Sequence, residues 1–239
     1  MDATWRSERW ARRPTRAGSH LCVATGDPDR VAGVSSPGPG RGDRNGVIKI
    51  ILARHGRPAW DFRTPIPGHA FAEWRRGEDD APLDPSHRPS AELEQLIRQA
   101  KCLAASPLRR SRDSAQLLAP STVPLIDACF REAELPCAIR CSLRLRPDVW
   151  GWLARSAWFC GWSAGVESFR TARERAAKAA TILIARADAS GAVLLVGHGL
   201  MNVLIARHLR TAGWRGPRFP SSQHWAFGVY YLPKPGLEG

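Results

Sequence analysis

Two histidines of this chain each stand in a glycine-flanked corner that closes a short aliphatic run. Leu52-Ala53-Arg54-His55-Gly56 ends the run that begins at Val47, and Val196-Gly197-His198-Gly199 ends Ala192-Val193-Leu194-Leu195-Val196. A third block, Ser106-Pro107-Leu108-Arg109-Arg110, follows Cys102-Leu103-Ala104-Ala105. A neutral imidazole can attack phosphorus, and guanidinium forks offer parallel N–H donors to phosphoryl oxygens. Two histidines and several arginines delivered to one place therefore suit a phosphoryl group. Taken singly, each element has a plainer reading. A histidine after a strand is more often a structural hydrogen-bonder, Ser-Pro-Leu-Arg-Arg a helix start, and a glycine a turn. The weight lies in their combination.

The elements that must position these groups are legible from periodicity. Val47–Ala53 and Ala192–Val196 are nearly unbroken aliphatic runs rich in branched residues, as expected of central strands buried on both faces. Lys101–Ala105, Val123–Ile126 and Trp225–Leu232 read as further strands. Ser90 is the expected N-cap of a helix carrying Leu93, Leu96 and Ile97 on one stripe. Helices are also expected after Pro107 through Leu118, from Glu167 to about Ala187, and over Leu200–Leu209. Residues 57–89 read as a long irregular loop with a helical turn near Phe71–Arg76. Residues 129–162 read as loops and short helices. Strands alternating with helices give an α/β fold, a three-layer sandwich around a largely parallel sheet. Ligands of such sheets bind beyond the C-terminal strand ends, where His55, His198 and Ser106 fall.

The chain of 239 residues, 44% hydrophobic, supports one sizeable core. Residues 1–45 form a separate, flexible basic extension by composition, marked by Gly33-Val34-Ser35-Ser36-Pro37-Gly38-Pro39-Gly40, and the domain runs over 46–239. The net charge of +13 favours anionic partners, but the arginines are dispersed, and no specific nucleic-acid motif accompanies them. No stretch approaches a membrane span, and the N-terminus has no apolar region of secretory type. The six cysteines form no CxxC pair and no zinc pattern, so reduced thiols in a cytoplasmic protein are expected, with no metal and no cofactor.

The three blocks, in this order and at these separations, resemble the signature of the histidine phosphatase family, the phosphoglycerate-mutase-like superfamily. The similarity extends from about Val47 to Leu209. The resemblance implies a phosphoglycerate-mutase-like fold and a phosphomonoesterase acting on a small anionic phosphoester. In it His55 becomes phosphorylated, while Arg54, Arg110 and His198 surround the phosphoryl group. The family's acid matches Glu132 in Phe130-Arg131-Glu132-Ala133-Glu134, with Glu134 the alternative two residues on. Asp61 occupies a position where the family often has a phosphate-contacting Asn, and enters the phosphate-binding set with a carboxylate in place of an amide. Arg57 and Pro58 depart from the usual acidic and small polar residues after Arg-His-Gly. Arg57 and Arg63 are candidates for a second anionic group on the substrate, or for surface ion pairs.

Two further functions stay open at the level of sequence. A mutase would share the phosphohistidine but return the group to another oxygen of the same substrate. A non-catalytic phospholigand-binding module would use the same fold without turnover.

Overall fold

The computed structural model describes residues 47–233, so the basic extension expected over residues 1–45 lies outside the described residues. Two aliphatic runs make the centre of the sheet: β1 (Lys49–Arg54) and β6 (Ala192–Gly197). They pair in parallel, with Ala53 opposite Val196 and Arg54 opposite Gly197. On the other side of β6 lies β3 (Cys102–Ala105), also parallel, with Ala105 opposite Val196. β4 (Leu125–Ile126) continues the parallel set at one edge. β7 (Phe227–Tyr231) closes the other edge, antiparallel to β1, so the order is β4-β3-β6-β1-β7.

Strand side chains alternate between faces, and both faces are covered, which is why the central runs are aliphatic throughout. Ile50, Leu52, Val193 and Leu195 pack on one face against α5 (Phe169–Ser190) and α6 (Gly199–Thr211). The buried stripe of α5 is mostly alanine, Ala172, Ala176, Ala179, Ala180 and Ala187, so the helix can approach its neighbours closely. Ile51, Ala53, Leu194 and Val196 pack on the other face against α2 (Ala91–Gln99) and α3 (Arg109–Leu118). Ser90 caps α2, its hydroxyl accepting the Leu93 N–H at 3.2 Å, as its position predicts. Ser168 caps α5 in the same way, accepting from Thr171 at 3.1 Å, so that helix begins two residues after the expected Glu167.

The two segments read as largely irregular contain more helix than periodicity predicts. The turn expected near Phe71–Arg76 is the first part of the ten-residue α1 (Phe71–Asp80). Within 129–162 lies the thirteen-residue α4 (Pro147–Phe159), started by Pro147 at its first helical position. Its sequence has apolar residues on both faces: Trp150, Ala154 and Trp158 inward, and Val149, Trp152, Leu153 and Phe159 exposed. That double facing erases the 3.6-residue signal. A two-stranded ribbon of β2 (Ile66–Pro67) and β5 (Arg144–Leu145) joins α1 and α4. Phe71, Trp150 and Ala154 form a small core there, separate from the two cores on the main sheet. Among the described residues, no helix is long and apolar enough to cross a membrane.

Leu195 is fully buried on a central strand. Leu195→Ala is expected to lower unfolding stability in urea by about 2–5 kcal/mol. Val123→Ala, at a site 92% exposed, should change it by less than about 0.5 kcal/mol.

Candidate functional site

The parallel registers bring three strand ends level. Arg54 faces Gly197, and Ala105 faces Val196, so His55, His198 and Ser106 leave the sheet at one edge. Backbone and hydroxyl contacts lock these corners together. The His55 N–H donates to the Gly197 carbonyl at 3.1 Å. The Ser111 hydroxyl donates to the Val196 carbonyl at 2.6 Å and accepts the Ser106 N–H at 2.9 Å. The Ser114 hydroxyl accepts the Gly56 N–H at 2.8 Å and donates to the Arg110 carbonyl at 2.6 Å, fastening the Arg-His-Gly corner to α3. Glycine is required at Gly56 because a Cβ there would lie 2.4 Å from the Trp225 ring.

His55 is buried, and its two ring nitrogens are differentiated. Nδ1 lies 2.7 Å from the Gly56 carbonyl, an acceptor only, so Nδ1 carries the proton. Nε2 is then the unprotonated nitrogen, and it accepts from Arg110 Nε at 3.1 Å. Burial pushes the His55 pKa well below 6.5, and His198, Arg110 and Arg54 push the same way. His198 stands with its ring centroid 5.0 Å from that of His55. Burial, then Arg110 and Arg54, likewise hold His198 well below 6.5. Its Nε2 lies 2.6 Å from the Ser106 hydroxyl, which already accepts the Leu108 N–H. The hydroxyl proton is thus free to go to Nε2, which leaves His198 Nδ1–H buried with no partner among the described residues. Both imidazoles are neutral at physiological pH, one with a lone pair and one with a donor.

Two guanidiniums flank the pair. Arg110 is buried, its Nη1 paired with the Asp79 carboxylate of α1. Arg54 donates to the Ser222 carbonyl, and its buried Nε has no partner among the described residues. Burial lowers the Arg54 pKa, opposed by Glu132. Glu132 itself sits at the N-terminus of α6, accepting the N–H of Met201 at 3.0 Å and of Leu200 at 3.3 Å. Glu134 turns elsewhere, its carboxylate accepting the Glu167 N–H at 3.2 Å.

The structure therefore gathers His55, His198, Arg54 and Arg110 and sets Glu132 beside them on α6. Asp61 is exposed, and its carboxylate accepts the N–H groups of Arg63 at 2.7 Å and Thr64 at 3.1 Å. The Thr64 hydroxyl and these backbone donors hold its pKa below the usual value. Arg63 is an exposed member of that turn, whereas Arg57 lines a cavity of about 340 Å³ with Phe62, His87, Gln223 and His224. His224 opens this cavity onto the nucleophile candidate, ring centroids 5.4 Å apart, and burial lowers its pKa to about 3.

His224, His87 and Asp79 are the residues that sequence reasoning misses. His224 and His87 occur in unpatterned loops, and Asp79 lies in a helix with no clear periodicity. Trp225 draws the loops together. Its N–H donates to the Arg54 carbonyl at 3.2 Å, and its indole donates to the His87 carbonyl at 2.8 Å. It does so at φ +64°, a strained value for a bulky residue that these contacts sustain. Among the described residues no group of three or more His, Cys, Asp or Glu is arranged to hold a metal.

Comparison with known proteins places the chain in a family. Residues 50–224 match the histidine phosphatase superfamily, branch 1. No curated protein matches the chain. Among solved structures, a mycobacterial protein described as hydrolase 2 aligns at 21% identity over 80% of this chain and 85% of its own, with a TM-score of 0.50. A phosphoserine phosphatase of Entamoeba histolytica aligns at 18% identity over 68% of this chain and 80% of its own, TM-score 0.46. A phosphoglycerate mutase of Bacillus anthracis aligns at 15% identity over 79% and 92%, TM-score 0.46.

Two outcomes follow from the site's electrostatics. His55, His198 and His224 have folded pKa values below 6.5, so below that pH the unfolded chain binds protons that the folded chain does not. Stability measured in urea should be fully present above about pH 6.5 and decline steadily below it. His224→Asn should make that decline shallower. Asp79 holds Arg110 Nη1, and on the reading that an anion takes its place, Asp79→Asn should tighten orthovanadate binding in a calorimetric titration. Weaker binding by Asp79→Asn would show that the carboxylate orients Arg110 rather than competing for it.

Proposed function

The chain belongs to the histidine phosphatase superfamily, branch 1, and we propose that within it the chain is a metal-independent phosphomonoesterase working through a phosphohistidine on His55. The observation that carries this reading is the His55 ring itself. Its proton is held at Nδ1 by the Gly56 carbonyl, and its unprotonated Nε2 accepts a hydrogen bond from Arg110 Nε at 3.1 Å. A phosphoryl group entering between them would take the guanidinium's donors and meet the lone pair that this hydrogen bond now occupies.

In this mechanism the substrate phosphoryl group displaces Asp79 from Arg110. Its oxygens are held by Arg110, Arg54 and the Nδ1–H of His198. Nε2 of His55 attacks phosphorus, and the P–O bond to the leaving group breaks. Glu132 gives its proton to the departing oxygen. Water then attacks phosphorus, Glu132 takes a proton from it, the P–N bond breaks, and orthophosphate leaves with His55 restored. Both guanidiniums serve both displacements, because negative charge is concentrated in each transition state. Glu132 rather than Glu134 is assigned the acid role on its match to the family's position, while the Glu134 carboxylate is engaged by the Glu167 N–H.

The cavity beside His224 supplies the substrate's remaining contacts. Arg57 offers a second cationic donor, Phe62 a ring face, and Gln223 and His224 neutral polar groups. Such a lining suits a small phosphoester with a further anionic or polar group. The described cysteines are free, in keeping with the cytoplasmic location that we also propose.

Rapid quench with labelled p-nitrophenyl phosphate, held alkaline to preserve a P–N bond, should place the label on His55. His55→Ala should lower kcat/KM by about 10⁴-fold or more, and Arg110→Ala by about 10²–10³-fold. On an alkyl phosphate, whose leaving oxygen needs a proton, Glu132→Gln should cost about 10²–10⁴-fold, and Glu134→Gln far less. Label on another residue, or full turnover by His55→Ala, would sink the mechanism. Isomerisation of a phosphorylated glycerate without phosphate release would replace phosphatase by mutase.

A further inference from the structure

A second cavity, of about 670 Å³, lies on a different part of the molecule and shares no lining residue with the one beside His55. Its walls are the end of α4, the start of α5, the outer face of α6 and the loop before β7. The apolar lining comes from Phe159, Phe169, Leu200, Val203, Leu204 and Phe219. Phe159 is 50% exposed and Phe219 is 67% exposed, an unusual state for aromatic rings that line a concavity.

Three arginines, Arg207, Arg210 and Arg218, also line it, and no acidic residue does among the described residues. None of the three makes an ion pair with a described residue. Arg218 lies over the Phe219 ring at 5.3 Å, which keeps the guanidinium at the apolar wall. Apolar walls and cations without counter-charges in one cavity call for one kind of occupant, an apolar body with an anionic head.

The alternatives fit the charge or the shape less well. A second copy docked face to face would set one arginine group against the other. The chain's own residues 1–46 carry 8 Arg against 5 acids, so they too are cationic. A flat bilayer would not fill a concavity, whereas 670 Å³ is in the range of sites for single small ligands.

We propose that the cleft formed by Phe159, Phe169, Leu200, Phe219 and the three arginines is a binding site for a single-chain anionic amphiphile of the fatty carboxylate class. The chain of the ligand lies along the phenylalanines and the aliphatic face of α6, and its carboxylate meets Arg207, Arg210 and Arg218. The cleft contains none of the side chains assigned to phosphoryl chemistry, though Leu200, whose N–H holds Glu132, lines it.

The test is calorimetric titration of the full-length protein with dodecanoate below its micelle concentration, in saturating orthovanadate to occupy the His55 site. One molecule should bind per chain. The double variant Arg207→Glu/Arg218→Glu, at exposed positions, should raise Kd by about tenfold or more. Phe219→Ala should weaken binding as well, while dodecyltrimethylammonium, with the same chain and the opposite charge, should not bind. Absence of dodecanoate binding, equal binding of the cationic amphiphile, or displacement by vanadate would each overturn the assignment. So would a double variant that binds dodecanoate as the parent does. Dimerisation of the parent, lost in the double variant, with no dodecanoate binding would make the cleft a subunit contact instead.

Discussion

The parallel hydrogen-bond register of β1, β6 and β3 is the constraint on which the site depends. Arg54 pairs in register with Gly197, and Ala105 with Val196, so the strands end within one residue of each other. Two histidines and the Ser106 corner then emerge side by side. A slip of one residue along either pairing would turn alternate side chains to the opposite face of the sheet. It would also part His55 from His198. The aliphatic cores on both faces thus fix more than stability, because they fix which side chains meet at the edge.

What meets there is costly to bury. Two imidazoles and two guanidiniums are withdrawn from water with few counter-charges, chiefly Asp79 on Arg110 and Glu132 near Arg54. The imidazoles respond by staying neutral, and Arg54 Nε is among the buried atoms left without a partner among the described residues. An incoming phosphoryl dianion would relieve both deficits at once. The hydroxyls of Ser106, Ser111 and Ser114 each accept a backbone N–H at these corners.

The two halves of the molecule divide these tasks. The sheet and its flanking helices place the groups that would handle phosphorus. The elements inserted between β1 and β3 and between β4 and α5 form the ribbon, α1 and α4, and they supply Asp79 and the Phe62–His87 wall. Trp225 joins this outer wall to the Arg-His-Gly corner through its indole and its N–H.

The sequence by itself determined the central strands, the helices that cover them, and the family. Each of these rests on short-range pattern: unbroken aliphatic runs at β1 and β6, an N-cap at Ser90, and His or Ser directly after a strand. Three such blocks in order were enough to predict His55, His198, Arg54 and Arg110 as neighbours, because parallel strands bring their C-terminal ends together. Pattern failed where packing rather than periodicity makes the element. α4 is apolar on both sides, and only the first part of α1, Phe71–Arg76, is legible, so neither helix shows its full length in the sequence. Only the tertiary structure shows that Glu132, and not Glu134, accepts the Leu200 and Met201 N–H groups, since two acids two residues apart look alike in the sequence. Only it brought His224, His87 and Asp79 to the site, from loops and a helix far apart in the chain. Their role depends on distances across the fold, and no local spacing encodes those.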